Sequence, residues 1–245
     1  GIGLGIARAF VAQGTVVAFS GFAPPDEIER ISAELRGGGA EAVYMPADAR
    51  NPAELAALVR RCETQLGAVD ILVNCAGIQH VSPIEEFPIA QWDAVIAVNL
   101  SSAFHTMRAA LPGMRRRNWG RIVNIASVHG LVASIDKSAY VAAKHGLIGL
   151  TKVVALETAG SPITCNAICP GWVYTPLVQK QVDARAKELG IEVAHAQRLL
   201  LEEKQPSLQF VGIDEVAALV LFVASDAARE VRGAAWAIDG GWSAQ

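Results

Sequence analysis

Ser127, Tyr140 and Lys144 are the residues of this chain whose types and spacing best suit chemistry. Tyr140 and Lys144 stand four apart in a segment of helical character, so both project from one helix face, a single turn apart. A free phenol titrates near pH ~10, too high for an efficient base at neutral pH. An ammonium beside it stabilises the phenolate and is expected to lower that value. A serine hydroxyl from a preceding strand end can hold a substrate oxygen against the phenol. Together the three make a proton-transfer device for an alcohol or a carbonyl. The Tyr-x-x-x-Lys spacing alone is weak, because any long helix can hold it by chance. Its meaning depends on the elements that position it.

Those elements alternate helix and strand along the whole chain. Helices are expected over 1–13, 26–36, 52–66, 91–115, 138–159 and 214–224, with the 91–115 segment as one long helix. Strands are expected over 15–20, 42–45, 71–74, 121–126, 163–169 and 235–238. Asn51 is a capping residue before Pro52, and Gly37-Gly38-Gly39 closes the second helix. Between Pro170 and about Gln209 the pattern is irregular and only partly helical. No repeat, low-complexity segment or linker interrupts it. The reading is one α/β domain over 1–245, a doubly wound parallel sheet with helices on both faces. Ligands in such sheets bind beyond the carboxyl ends of the strands.

Composition agrees with that class. The chain has 245 residues, 52% of them hydrophobic, which suits a sheet buried on both faces. A net charge of −3 gives no support for a nucleic-acid partner. Arg115, Arg116 and Arg117 form the one basic run and read as a solvated helix end. Cys62, Cys75, Cys165 and Cys169 fall in apolar segments without zinc-like spacing, so they read as reduced core thiols, and no metal is expected. The longest apolar run, 217–224, is too short to span a bilayer, and no membrane partner is expected. No signal-peptide pattern is visible, and a cytoplasmic location is the default expectation.

Polar and small residues gather at the strand ends. Gly1-Ile2-Gly3-Leu4-Gly5 opens a helix through glycines, which let a pyrophosphate approach backbone amides at a helix N-terminus. A strand is expected before Gly1, so the sequence is expected to be a trimmed form of a longer chain. Asp48-Ala49 follows a strand and is placed to meet an adenine edge. Asn74-Cys75-Ala76-Gly77 and Pro170-Gly171 end two further strands with residues that let a flat ligand lie close. A second polar set sits at the same ends: Gln79, His129, Lys137 and Gln181, with Trp172 and Trp242 nearby. Amides, an imidazole and an ammonium beside Tyr140 suit a small carboxylate, and the tryptophans suit an apolar wall.

In order and spacing, the glycine turn, Asp48, Asn74-x-Ala76-Gly77, Asn99, Ser127, Tyr140-x-x-x-Lys144 and Pro170-Gly171 resemble the short-chain dehydrogenase/reductase family along nearly the whole chain. The resemblance implies a single Rossmann-type domain, commonly in dimers or tetramers that pair through the two long helices holding Asn99 and Tyr140. A homotetramer is the expectation. It implies that Tyr140 is the general acid–base and that Lys144 lowers its pKa and holds the nicotinamide ribose. Ser127 orients the substrate oxygen, and Asn99 supports a water-linked proton relay to Lys144. A dinucleotide is expected along Gly1, Ile2, Gly3, Phe22, Asp48, Ala49, Asn74, Ala76, Gly77, Tyr140, Lys144, Pro170, Gly171, Val173 and Thr175.

The dinucleotide expected is NAD. The second strand of the family ends here in Ser20-Gly21-Phe22-Ala23, which is neither acidic nor basic. No Lys or Arg lies between Arg8 and Arg30 to meet a 2′-phosphate. A closer resemblance, to members acting on short 3-hydroxy acids, runs from Gly77-Ile78-Gln79-His80 through Ser127-Val128-His129-Gly130 to Cys169-Pro170-Gly171-Trp172-Val173. It implies a carboxylate held by Gln79, His129, Lys137 and Gln181. Trp172 and Trp242 then shape the methyl end, and residues 173–209 form a mobile lid that brings Gln181 over the substrate. The expected reaction is reversible oxidation of (R)-3-hydroxybutyrate to acetoacetate. Two other readings stay open: a family member acting on another hydroxy acid, a sugar, a steroid or a 3-oxoacyl substrate, and a non-catalytic nucleotide-binding protein.

Overall fold

The computed structural model describes residues 1–244. Six parallel strands carry the fold: β1 (Val17–Phe19), β2 (Ala42–Tyr44), β3 (Ile71–Asn74), β4 (Gly120–Ile125), β5 (Ile163–Pro170) and β6 (Ala235–Ile238). Among the described residues they form a β1–β2 pair and a separate sheet of order β3–β4–β5–β6. Every residue of β4 and β5 is buried, as continuous apolar strands covered on both faces should be. One face packs Ile122, Cys165 and Ala167 against α3 (Pro52–Leu66), α5 (Ser102–Arg117) and α6 (Ser138–Glu157). The other packs Val123, Ile125 and Ile168 against α1 (Ile2–Ala12) and α9 (Ile213–Ala224). A Cβ at Gly5 would stand 2.1 Å from the Ile213 side chain, so glycine there is what lets α1 and α9 approach. α2 (Pro25–Arg36) closes the β1–β2 end, with Leu35 buried beside Val11 and Ala42. Asn51 caps α3, accepting from the backbone N–H groups of Ala53 and Glu54.

One expected element is corrected. The long helix over 91–115 is instead α4 (Ile89–Ile96), a π-helical turn (Ala97–Ser101) and α5. Within that turn Asn99 is held at both ends of its amide: Oδ1 accepts from the Ile78 N–H at 2.8 Å and Nδ2 donates to the Ile78 carbonyl at 2.8 Å. π turns of this kind are frequent at functional sites. The partly helical stretch after Pro170, expected as a small helical lid, is a helical hairpin, α7 (Pro176–Leu189) and α8 (Val193–Lys204), turning at Gly190 with φ +64°. Its inner face, including Val178, Val182, Ala196 and Leu200, forms a small core with Trp172 and Trp242.

The reading of the longest apolar run also needs amending. Helix α6, at 20 residues, is long and apolar enough by composition to cross a membrane. In the fold its face carrying Ala143, Leu147, Ile148 and Ala155 is buried on the sheet side.

Candidate active site

The site lies at the carboxyl ends of β3, β4 and β5. Ser127 follows β4 in extended backbone, and its Oγ accepts from the His129 N–H at 3.1 Å. Its hydroxyl also hydrogen-bonds Tyr140, in the first turn of α6. One turn on, the Lys144 Nζ donates to the Ile125 carbonyl at 2.8 Å and lies 5.6 Å from the centre of the Tyr140 ring. Gly77 faces this pair: a Cβ there would sit 3.8 Å from Asn99 Oδ1 and 3.9 Å from Lys144 Nζ. The strand end thus brings Asn99 and Lys144 to a common side of the backbone.

Burial decides the charge states. It pushes the Tyr140 phenol above its ordinary value, while the Ser127 hydrogen bond draws it back. Burial pulls the Lys144 ammonium down to about 8. Lys144 is not among the groups that draw the phenol down here, where burial acts most strongly on Tyr140.

A cavity of ≈ 330 Å³ opens over these residues. Every residue expected at the substrate lines it: Gln79, Ser127, His129, Lys137, Tyr140, Trp172, Gln181 and Trp242. Of the expected dinucleotide contacts, Gly1, Ile2 and Gly3 line it from the start of α1, Gly77 and Lys144 from the middle. Pro170, Gly171, Val173 and Thr175 line it from the β5 end. Phe22, Asp48, Ala49, Asn74, Ala76 and Asn99 are not in its wall. Phe22 is exposed, and Asp48 is held in a bidentate pair with Arg50 at 2.7 Å. The Asn74 amide is spent inside the fold: Nδ2 donates to Asn124 Oδ1 at 2.8 Å, and Oδ1 accepts from the Thr106 hydroxyl at 2.6 Å.

The substrate end is aromatic and positively charged. His129 makes edge contacts with Tyr140 at 5.9 Å and Trp242 at 5.2 Å, and Trp242 packs on Trp172 at 5.5 Å. Burial, with help from Lys137 and Lys204, pulls His129 down to about 3, so its imidazole is neutral. Lys137 falls to about 8, by burial first and then by Lys204. No acidic side chain lines the cavity. Among the described residues Lys137 has no hydrogen-bond or ion-pair partner, and the Gln79 Nε2 and Trp172 Nε1 donors are buried without an acceptor.

Sequence reasoning missed four participants. Gln205 is buried, accepts from the Trp172 N–H at 2.8 Å and donates to the Gln209 carbonyl. Ser134 holds the His129 Nε2 at 3.0 Å. Asp239 fixes the turn that carries Trp242 by accepting from Gly241 and Ser243. Cys75, expected in the core, lies in the cavity wall, its thiol raised by burial and so unactivated. Cys75, within Asn74-Cys75-Ala76-Gly77, and Asp239, within Asp239-Gly240-Gly241-Trp242, stood inside motifs that could have flagged them.

A family model described as Enoyl-(Acyl carrier protein) reductase matches residues 1–243. D-beta-hydroxybutyrate dehydrogenase of Cupriavidus necator is 58% identical over 245 residues, covering 100% of this chain and 95% of its own length. This chain is a short-chain dehydrogenase/reductase. A second such relative, D-beta-hydroxybutyrate dehydrogenase of Rhizobium meliloti, is 49% identical over 246 residues, with the same coverage of both chains. Levodione reductase is similar in structure, with a TM-score of 0.92 and 30% identity over 100% of this chain and 94% of that one. Membership of this family makes the chain an oxidoreductase, on a parallel sheet flanked by helices.

Proposed function

We propose that this short-chain dehydrogenase/reductase oxidises (R)-3-hydroxybutyrate to acetoacetate, reversibly, with NAD. One observation carries the reading: the unpaired ammonium of Lys137 shares a cavity with Ser127, Tyr140 and Lys144, and no carboxylate lines that cavity. A half-buried ammonium facing a cavity with no acidic side chain is placed to meet an anion. A substrate with its carboxylate a short carbon chain from its hydroxyl supplies that anion while the hydroxyl meets Tyr140. The 58% and 49% identical relatives carry the same activity in their names.

Gln79 Nε2 and Lys137 Nζ donate to the carboxylate, with the neutral His129 and Gln181 completing the clamp. Trp172 and Trp242 close the methyl end. Ser127 holds the substrate oxygen, and Tyr140 in its phenolate form takes that oxygen's proton as the carbon–hydrogen bond breaks; in the reverse direction the phenol returns it. Lys144, charged below pH ~8, holds the nicotinamide ribose and passes the proton on through a relay supported by Asn99. Residues 173–209 act as the lid and exclude water on closing.

The dinucleotide fits the residues present. Gly1, Ile2 and Gly3 bring the N-terminus of α1 to the cavity wall, where helix N–H groups suit a pyrophosphate. When bound, NAD accepts the hydride from the substrate carbon. Arg8 is paired with Glu34, which supports NAD over a form carrying a 2′-phosphate. Phe104, Val153 and Leu156 are exposed on α5 and α6 and suit pairing into a homotetramer, in the cytoplasm.

The test is NADH formation from NAD⁺ and (R)-3-hydroxybutyrate, with the (S) acid and NADP⁺ as controls. Rapid turnover is expected only with the (R) acid and NAD⁺. Equal or faster turnover of an uncharged secondary alcohol would overturn the carboxylate reading.

A further inference from the structure

Trp172 does more than wall off the pocket. Its backbone N–H is fixed by Gln205, yet its indole N–H is buried without an acceptor. Buried indoles ordinarily place that donor on a partner. Here the ring is oriented by its faces instead, against Trp242 at 5.5 Å and beneath the Lys137 ammonium, whose Nζ lies 4.9 Å from the ring centre. A cation at that distance over an indole face is attracted by the ring quadrupole.

The surroundings of Lys137 leave it little else. Lys204, at the end of α8, repels it. His129, from the turn after β4, is neutral, and burial pushes the Tyr140 phenol, from α6, above its ordinary value. Gln181, from α7, is uncharged, and Asp136 makes no ion pair with Lys137 among the described residues. The indole face is the one electron-rich group seated against this ammonium.

We propose that Trp172 is a positioning residue that holds Lys137 in its charged form, so that the apolar wall of the pocket and its anion clamp are one device. The consequence for substrate rests on the reading of the cavity as a carboxylate site. The contact itself does not.

The experiment replaces Trp172 with fluorinated tryptophans of increasing fluorine count by site-specific incorporation. Shape and burial stay constant while the negative face of the ring fades. In ¹³C-lysine-labelled protein the Lys137 Cε signal, assigned by its loss in Lys137→Gln, is titrated against pH. Its midpoint is expected to fall stepwise with fluorination, by about one unit in all. A midpoint independent of fluorination would overturn the proposal, because a ring that merely excludes water acts identically in every member of the series. In the same series the pH at which KM for (R)-3-hydroxybutyrate begins to rise should move down in parallel. If the unmodified enzyme does not turn that acid over, the function reading fails while the titration still decides the contact.

Discussion

Between the sheet and its helices α5 and α6, four buried polar side chains satisfy one another. Asn74 bonds Asn124 and Thr106, and Asn124 Nδ2 donates to the Thr151 hydroxyl at 2.9 Å. At the carboxyl edge of the same sheet, Gln79 Nε2 and Trp172 Nε1 are buried without a partner, and the half-buried Lys137 ammonium makes no hydrogen bond or ion pair among the described residues. The first group follows the ordinary rule that buried donors and acceptors are paired. The second breaks it twice within one cavity. Orphaned polar atoms occur elsewhere too, at Thr164 and Trp236 for example, but there they are scattered. The contrast separates polarity that holds the fold from polarity that waits for a ligand.

The largest effect should come from breaking the pocket at its chemistry. Tyr140→Phe is expected to lower kcat by about 10²–10⁴-fold while NADH binding, read by fluorescence titration, stays nearly intact. Substantial residual turnover would exclude Tyr140 as the acid–base. Next, Lys137→Ala should raise KM for (R)-3-hydroxybutyrate roughly ten- to a hundredfold, leaving an uncharged alcohol almost unaffected. Its melting temperature should change little, since Lys137 is half-buried and makes no hydrogen bond or ion pair among the described residues. Asn124→Leu should do the reverse and lower stability by about 2–4 kcal/mol in urea unfolding, because it strands Thr151 and Asn74. If both variants lowered stability alike, the contrast between the two groups would collapse.

The smallest effect is in the acid range. His129 sits at about 3 in the folded protein against 6.5 when free. Between those values the unfolded chain binds a proton that the folded chain refuses. Stability contributed by the neutral imidazole is full above pH ~6.5 and is lost progressively as pH falls toward ~3. His129→Gln should flatten that part of the stability-versus-pH curve. An unchanged slope would mean that the imidazole is protonated in the native state.

Legibility in the sequence followed range. The six strands and most helices were readable because apolar runs and caps such as Asn51 are local. Gln79, His129, Lys137, Gln181 and the two tryptophans could be grouped because strand ends of a doubly wound sheet gather at one edge, and they do line one cavity. The π turn was not readable, since it accompanies Asn99 gripping Ile78 from 21 positions away. Gln205 was invisible for the same reason, its partner Trp172 lying 33 positions earlier. The α7–α8 hairpin hid behind a segment whose apolar face is completed only by Trp172 and Trp242.

The two ends of the α7–α8 hairpin are tied together. Val173 pairs with Val211, the Val211 N–H donates to the Trp172 carbonyl at 2.8 Å, and Gln205 bonds the Trp172 N–H. What lies between is a closed loop whose ends are already fixed, and the entropy of such a loop grows only slowly with its length. Insertions or deletions within 176–204 should therefore leave the sheet untouched. The hairpin is in this sense an exchangeable cassette, through which substrate range can be rewritten while the catalytic floor beneath it stays the same.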